Sequence, residues 1–124
     1  MIACDTSSLS SYFQGETGED AEAVHGAFRS GSLILPLVVL TEILSDPKIP
    51  NRLVAIVLAF ERLQLAEGYW QRAGEARRVV KSKGLRAKLG DALIAQSCID
   101  HDIALITRDD DFRHFANHCG LKLA

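Results

Sequence analysis

Several carboxylates stand where they are either costly or useful. Asp5 directly follows the apolar run at residues 1–4, and Asp109, Asp110 and Asp111 follow a second apolar run at 103–107. Asp91 opens the stretch Asp-Ala-Leu-Ile-Ala-Gln-Ser-Cys-Ile, and its neighbours at i+3, i+4 and i+7 are Ile94, Ala95 and Cys98. Glu42 lies in Leu-Val-Val-Leu-Thr-Glu-Ile-Leu, with Val38 and Val39 at i−4 and i−3. A carboxylate against apolar neighbours is expensive unless a cation or hydrogen bonds compensate. Each acid also has an ordinary role open to it. Asp5 or Asp91 can cap a helix, Glu42 can share an exposed face with Thr41 and Ser45, and residues 109–111 can form a solvated turn. One arrangement accounts for all of them together. Carboxylates gathered in one place repel one another at neutral pH, and a hard divalent cation removes that repulsion. Oxygen donors without imidazoles or thiolates suit Mg²⁺ or Mn²⁺.

Other chemistries lack their residues. His25, His101, His114 and His118 form no zinc pattern; His114 and His118 are spaced i, i+4 without an HExxH. Cys4, Cys98 and Cys119 are odd in number and lack CxxC spacing, which excludes a disulfide framework and a structural zinc site. No GxGxxG, GxxxxGK[ST] or GxSxG occurs, and Ser7, Ser8, Ser10 and Ser11 have no evident histidine partner.

The elements that must position the acids follow from periodicity and turn residues. Apolar runs predict strands at 1–4, 32–35, 63–66, 103–107 and 121–123. Helical spacing and caps predict helices at 19–29, 36–45, 51–62, 69–82, 88–100 and 110–117. Alternating strands and helices indicate an α/β domain with a mostly parallel sheet covered on both faces. In such sheets ligands sit beyond the carboxyl ends of the strands, where Asp5 and residues 109–111 fall. The 124 residues, 48% hydrophobic and 24% charged, make one domain over 1–124 and exclude intrinsic disorder. The apolar stretch 33–40 is broken by Pro36 and is far short of a membrane span. No basic region precedes the first apolar run, so no signal peptide is expected and the expected location is cytoplasmic.

The net charge of −2 conceals an asymmetry. Residues 72–88 carry Arg72, Arg77, Arg78, Lys81, Lys83, Arg86 and Lys88 against Glu75 alone, a local +6, while the rest of the chain carries −8. A basic strip on an acidic body suits a protein that meets a polyanion with one face; a solvated helix surface is the plainer alternative.

Read together, the strand followed by Asp5-Thr6-Ser7, the helical Thr41-Glu42-Ile43-Leu44, Gly90-Asp91-Ala92-Leu93-Ile94-Ala95 and Leu105-Ile106-Thr107-Arg108-Asp109-Asp110-Asp111-Phe112 resemble the successive acidic motifs of PIN-domain ribonucleases. Size and order resemble the VapC-type toxins of toxin–antitoxin pairs. The resemblance implies a three-layer α/β/α domain with about five strands. It implies a Mg²⁺- or Mn²⁺-dependent endoribonuclease acting on RNA such as tRNA, a homodimer, and a VapB-like antitoxin inserting into the cleft. Asp5, Glu42 and Asp91 match the first three family acids. The last motif is roughly T-x-D-x-D-F, so Asp109 and Asp111 both match, with Asp109 ranked ahead as a metal ligand and Asp110 at the variable position. Thr6 or Ser7, and Thr107, match positions that support the carboxylates by hydrogen bonding. Asp5, Asp91 and Asp109 would hold metal, Glu42 would bind it through water or orient the attacking water, and Arg77, Arg78, Lys81, Lys83 and Arg86 would contact phosphates. Three rival readings compete. A phosphorylation-switched receiver domain needs paired acids after the first strand, where Thr6-Ser7 stand. A haloacid-dehalogenase-type phosphatase needs a second Asp where Ser7 stands. A catalytically inactive PIN-like RNA-binding module would need none of the acids that this chain carries.

Overall fold

A computed structural model describes all of residues 1–124. The elements, in chain order, are β1 (Ile2–Cys4), α1 (Thr6–Phe13), α2 (Glu19–Ser30), β2 (Leu33–Leu35), α3 (Leu37–Leu44), α4 (Asn51–Ala59), β3 (Glu61–Arg62), α5 (Tyr69–Ser82), α6 (Leu89–His101), β4 (Leu105–Ile106) and α7 (Phe112–Cys119). The four strands pair in parallel in the order β3-β2-β1-β4. The chain therefore builds outward from β1 through β2 to β3, then returns to lay β4 on the other side of β1, with Ala3 opposite Leu105 and Cys4 opposite Ile106. That reversal is the topological switch point of the sheet, and its crevice opens at the carboxyl ends of β1 and β4.

The α/β class and the parallel sheet match the sequence reading. Leu33, Ile34 and Leu35 are consecutive and all buried, which requires cover on both faces of the sheet and hence three layers. Helices α1 and α2 pack on each other; α5, α6 and α7 form a second group, and α3 touches both α1 and α6. One core cluster runs through the sheet, with Ala3, Cys4, Leu9, Val39, Val80, Leu105 and Phe115 inaccessible to solvent.

Several elements depart from expectation. Helix α1 follows β1 at once; its Ser-rich sequence hides it, but Asp5 caps it by accepting the backbone N–H of Ser8, and Leu9 anchors it in the core. The third strand is Glu61–Arg62, not 63–66, because the pairing register is set by Leu35, whose carbonyl accepts Leu63 N–H at 2.8 Å. The expected last strand, 121–123, contributes a single parallel bridge, Leu123 to Leu105, at the sheet edge. Helix α7 starts at Phe112, which leaves Asp109–Asp111 in the loop beyond β4. No helix is long and apolar enough to cross a membrane.

Candidate metal centre

Asp5 leaves the central strand and is 1% exposed. Its Oδ1 accepts Ser8 N–H at 2.9 Å and its Oδ2 accepts the Thr107 hydroxyl at 2.5 Å, so capping and site roles coincide in one side chain. The Thr107 oxygen in turn accepts the N–H of Asp109 at 3.0 Å. One hydroxyl thus ties the ends of β1 and β4 together. Burial pushes the Asp5 carboxyl above its ordinary range, against the lowering hydrogen bonds from Thr107 and Ser8, and the Asp109 charge pushes it further.

Asp91 occupies the first turn of α6, where the helix dipole favours a negative charge. It caps nothing, and its Oδ2 is buried without a hydrogen-bond partner. Burial first, then the charge of Asp109, raises its pKa to about 6; Lys88 opposes this, and Asp111 and Asp5 add to it. Asp91, Asp109 and Asp111 each offer a carboxylate oxygen within 4.8 Å of the others. Asp111 N–H donates to Asp109 Oδ1 at 2.9 Å, which fixes those two acids relative to each other. Asp5 lies beside this trio, buried, and adds its charge to it.

Of the two settings open to Glu42, the exposed helix face is the one the structure has. Glu42 is exposed on α3, and its Oε1 accepts the Thr6 hydroxyl at 2.7 Å. Its Oε2 is 3.8 Å from the point where a side chain on Gly90 would begin, which places Glu42 near the residue that precedes Asp91. Ser7 is exposed and makes no hydrogen bond to a carboxylate; Thr6 and the Ser8 N–H take the supporting positions instead. Asp110 points outward, 3.4 Å from Arg113.

The basic strip resolves into different groups. Arg78 and Lys81 are exposed and line, with Arg77 and Leu89, a shallow depression between α5 and the start of α6. Arg77 is partly committed, donating from Nε to the Ala87 carbonyl at 2.9 Å. Arg86 stands 3.6 Å from Asp111, at the edge of the acid trio. Lys83 is exposed. Arg72 belongs elsewhere, held by Asp100 at 2.7 Å. A groove of about 420 Å³ opens beside Glu42, walled by Thr6, Phe13, Ile43, Ile49 and Leu53. The sequence reading missed Arg108, which forks onto Asp20 in the first turn of α2. Its only signal was a lone cation inside Thr-Arg-Asp-Asp-Asp.

The donor set fits a hard divalent cation. The trio consists of aspartates alone, and the one buried carboxylate oxygen without a partner belongs to it.

Comparison with known proteins bears on the fold and the family. Among curated proteins no sequence match is found. The fold matches the VapBC2 complex of Rickettsia felis, bound to a DNA fragment from their promoter, with TM-score 0.76 and 20% identity over 100% of this chain and 98% of that one. It matches FitAcB from Neisseria gonorrhoeae with TM-score 0.74 and 19% identity over 99% and 96% of the two chains. It matches a toxin–antitoxin complex from Klebsiella pneumoniae with TM-score 0.73 and 22% identity over 98% and 95%. The family model described as PIN domain matches residues 2–118. With the acids at the switch point and the match over nearly its whole length, the chain belongs to the PIN domain family, whose members are generally nucleases.

Proposed function

We propose that this single domain is a Mg²⁺- or Mn²⁺-dependent endoribonuclease that acts as the toxin of a toxin–antitoxin pair. The observation that carries the reading is the partnerless, buried Oδ2 of Asp91 within 4.8 Å of oxygens from Asp109 and Asp111. Asp91, Asp109, Asp111 and Asp5 would hold the metal. When bound, it supplies a lowered pKa for an attacking water and charge neutralisation at the leaving oxygen. The residues of the chain do the rest. Thr107 keeps Asp5 and the β4 end in register. Glu42, exposed and steadied by Thr6, accepts a hydrogen bond from the water and aims it at phosphorus. Arg78, Lys81, Lys83 and Arg86 bind phosphates on either side of the scissile bond, with Arg77 shaping the loop that carries Arg86. Those contacts position the strand without reading its sequence.

The partners are RNA, a VapB-like antitoxin and a second copy. The groove beside Glu42 suits an antitoxin segment that blocks the acids. Trp70 is 66% exposed next to an apolar hollow lined by Leu37, Val38 and Leu65, which suits a homodimer contact.

The test is cleavage of total RNA by the purified protein, followed by end mapping. Activity should vanish in EDTA and return with Mg²⁺ or Mn²⁺. Cleavage that persists in excess chelator overturns the metal mechanism. Metal binding with no cleavage of any RNA favours an inactive RNA-binding module.

A further inference from the structure

The loop that carries Asp109 and Asp111 faces an electrostatic problem. Apart from those of Arg108, its side-chain hydrogen bonds, Thr107 to Asp5, Asp109 N–H to Thr107 and Asp111 N–H to Asp109, are made inside the acid cluster, whose members repel one another. Two of its ion pairs are long and made by exposed arginines: Arg113–Asp110 at 3.4 Å and Arg86–Asp111 at 3.6 Å.

Arg108 differs from both. It sits between Thr107 and Asp109, and its guanidinium points away from the acids to the first turn of α2. Nε donates to Asp20 Oδ2 at 2.8 Å and Nη2 donates to Oδ1 at 3.1 Å. Nη1 lies 3.6 Å from Glu16. The Asp20 side chain is only 8% exposed, and its pKa is pulled down chiefly by the Arg108 hydrogen bonds. The pair also has a shaped seat. Gly18, at φ 145°, lies so close that a side chain there would begin 2.9 Å from Asp20 Oδ1 and 3.5 Å from Arg108 Nη2. A two-pronged, partly desolvated pair of this kind fixes orientation far better than a surface contact.

We propose that the Arg108–Asp20 pair is a positioning clamp: it holds residues 107–111 from outside the acid cluster, so that Asp109 and Asp111 stay converged on Asp91. Arg108 is a positioning residue, since it touches neither the trio nor the space between its oxygens. The consequence for metal rests on the metal-centre reading; the mechanical claim does not.

Charge and position make opposite forecasts for one substitution, which gives a sign test. If Arg108 acted only through its charge, Arg108→Gln would strengthen Mn²⁺ binding, and Asp20→Asn would weaken it. If the pair is a clamp, both substitutions weaken it, by about tenfold, as loss of an orienting partner does at metal sites. Arg108→Lys, which keeps the charge and loses the fork, should fall with Arg108→Gln. Mn²⁺ affinity is read by electron paramagnetic resonance without RNA. In parallel, hydrogen exchange at the Asp109 and Asp111 amides is read by NMR in the metal-free proteins and should quicken about tenfold in both variants. Circular dichroism selects folded variants, and if Arg108→Gln does not fold, amide exchange in Asp20→Asn, nearly isosteric, still decides the clamp. Opposite shifts in Mn²⁺ affinity, or unchanged exchange at both amides, overturn the clamp. Wild-type protein that binds no Mn²⁺ overturns the metal centre instead, and the exchange rates still decide the clamp.

Discussion

The acid pocket and the basic strip are opposite constructions. The pocket gathers side chains from the end of β1, from α6 and from the β4 loop across as many as 102 residues, with Asp5 buried and Asp91, Asp109 and Asp111 half-buried. The strip comes mostly from one helix and the turn after it and lies largely in solvent; Arg72 is taken by Asp100 and the Glu67 carbonyl and Arg77 by the Ala87 carbonyl, while Arg78, Lys81 and Lys83 stay exposed. Like charges held together in low dielectric weaken the fold and sharpen a binding site. Like charges along a solvated helix cost little and act at a distance through the field. The pocket should therefore fail all at once when one acid is changed, and the strip should fail by degrees.

The largest effect tests the pocket. Asp91→Asn should lower metal-dependent RNA cleavage by about 10³-fold or more while the metal-free protein melts at the same or a higher temperature, because a buried repulsive charge is gone. Asp5→Asn should lose as much activity but melt lower, by about 1–2 kcal/mol, because both Asp5 oxygens accept hydrogen bonds. Equal melting shifts in the two variants would erase the distinction drawn here between an orphan acid and a bonded one.

The next effect tests the strip. Arg78→Glu with Lys81→Glu should weaken RNA binding about tenfold at moderate salt and flatten its dependence on salt, with Mn²⁺ affinity nearly unchanged. Arg77 is left intact because its Nε hydrogen bond holds the chain at Ala87. Full RNA affinity in this double variant reduces the strip to a solvated surface.

Stability against pH separates the regions again. The folded-state pKa of Asp91, about 6, lies above the ordinary carboxylate value of 3.8. The folded form therefore binds a proton more readily than the unfolded form. The metal-free protein should gain stability as pH falls from above 6 toward 4, by about 1–2 kcal/mol after allowance for solvent screening. Asp5, shifted the same way, adds to the gain. Asp20 and Asp100, shifted downward by Arg108 and Arg72, lose their contribution only below the ordinary carboxylate range. Melting temperatures that fall steadily from pH 7 to pH 5 contradict this sign. The smallest effect concerns the helix after Asp5. Thr6→Ala should reduce cleavage a few-fold by loosening Glu42, about the value of one hydrogen bond, and Ser7→Ala should change nothing.

Much of this was legible in the residues. Apolar runs and acids that follow them announce β1, β4 and the carboxyl edge of the sheet, so Asp5 and Asp109 could be picked out with no contact known, and Asp91 stood out by its apolar neighbours at i+3, i+4 and i+7. Helix α1 could not, because four of its eight residues are serines, poor in helix propensity, and packing of Leu9 with the Asp5 cap decides the matter. The third strand escaped because register, not composition, selects Glu61–Arg62. Sequence left Glu42 open between an apolar setting and an exposed face shared with Thr41 and Ser45; the helix turns it outward, where it meets Thr6. Arg108 and Asp20 are 88 positions apart, and nothing local in either segment announces that they will meet.

The place of β1 in the sheet has a consequence for synthesis. Residues 2–4 leave the ribosome early, but they become the middle of the sheet, and the threonine that secures Asp5 comes roughly 100 residues later. At ordinary translation speeds that gap lasts about 5–20 s. Throughout it the growing polypeptide can pair β1 with β2 but lacks β4 and the loop that carries Asp109 and Asp111, so the acid trio stays incomplete until that last stretch has been made.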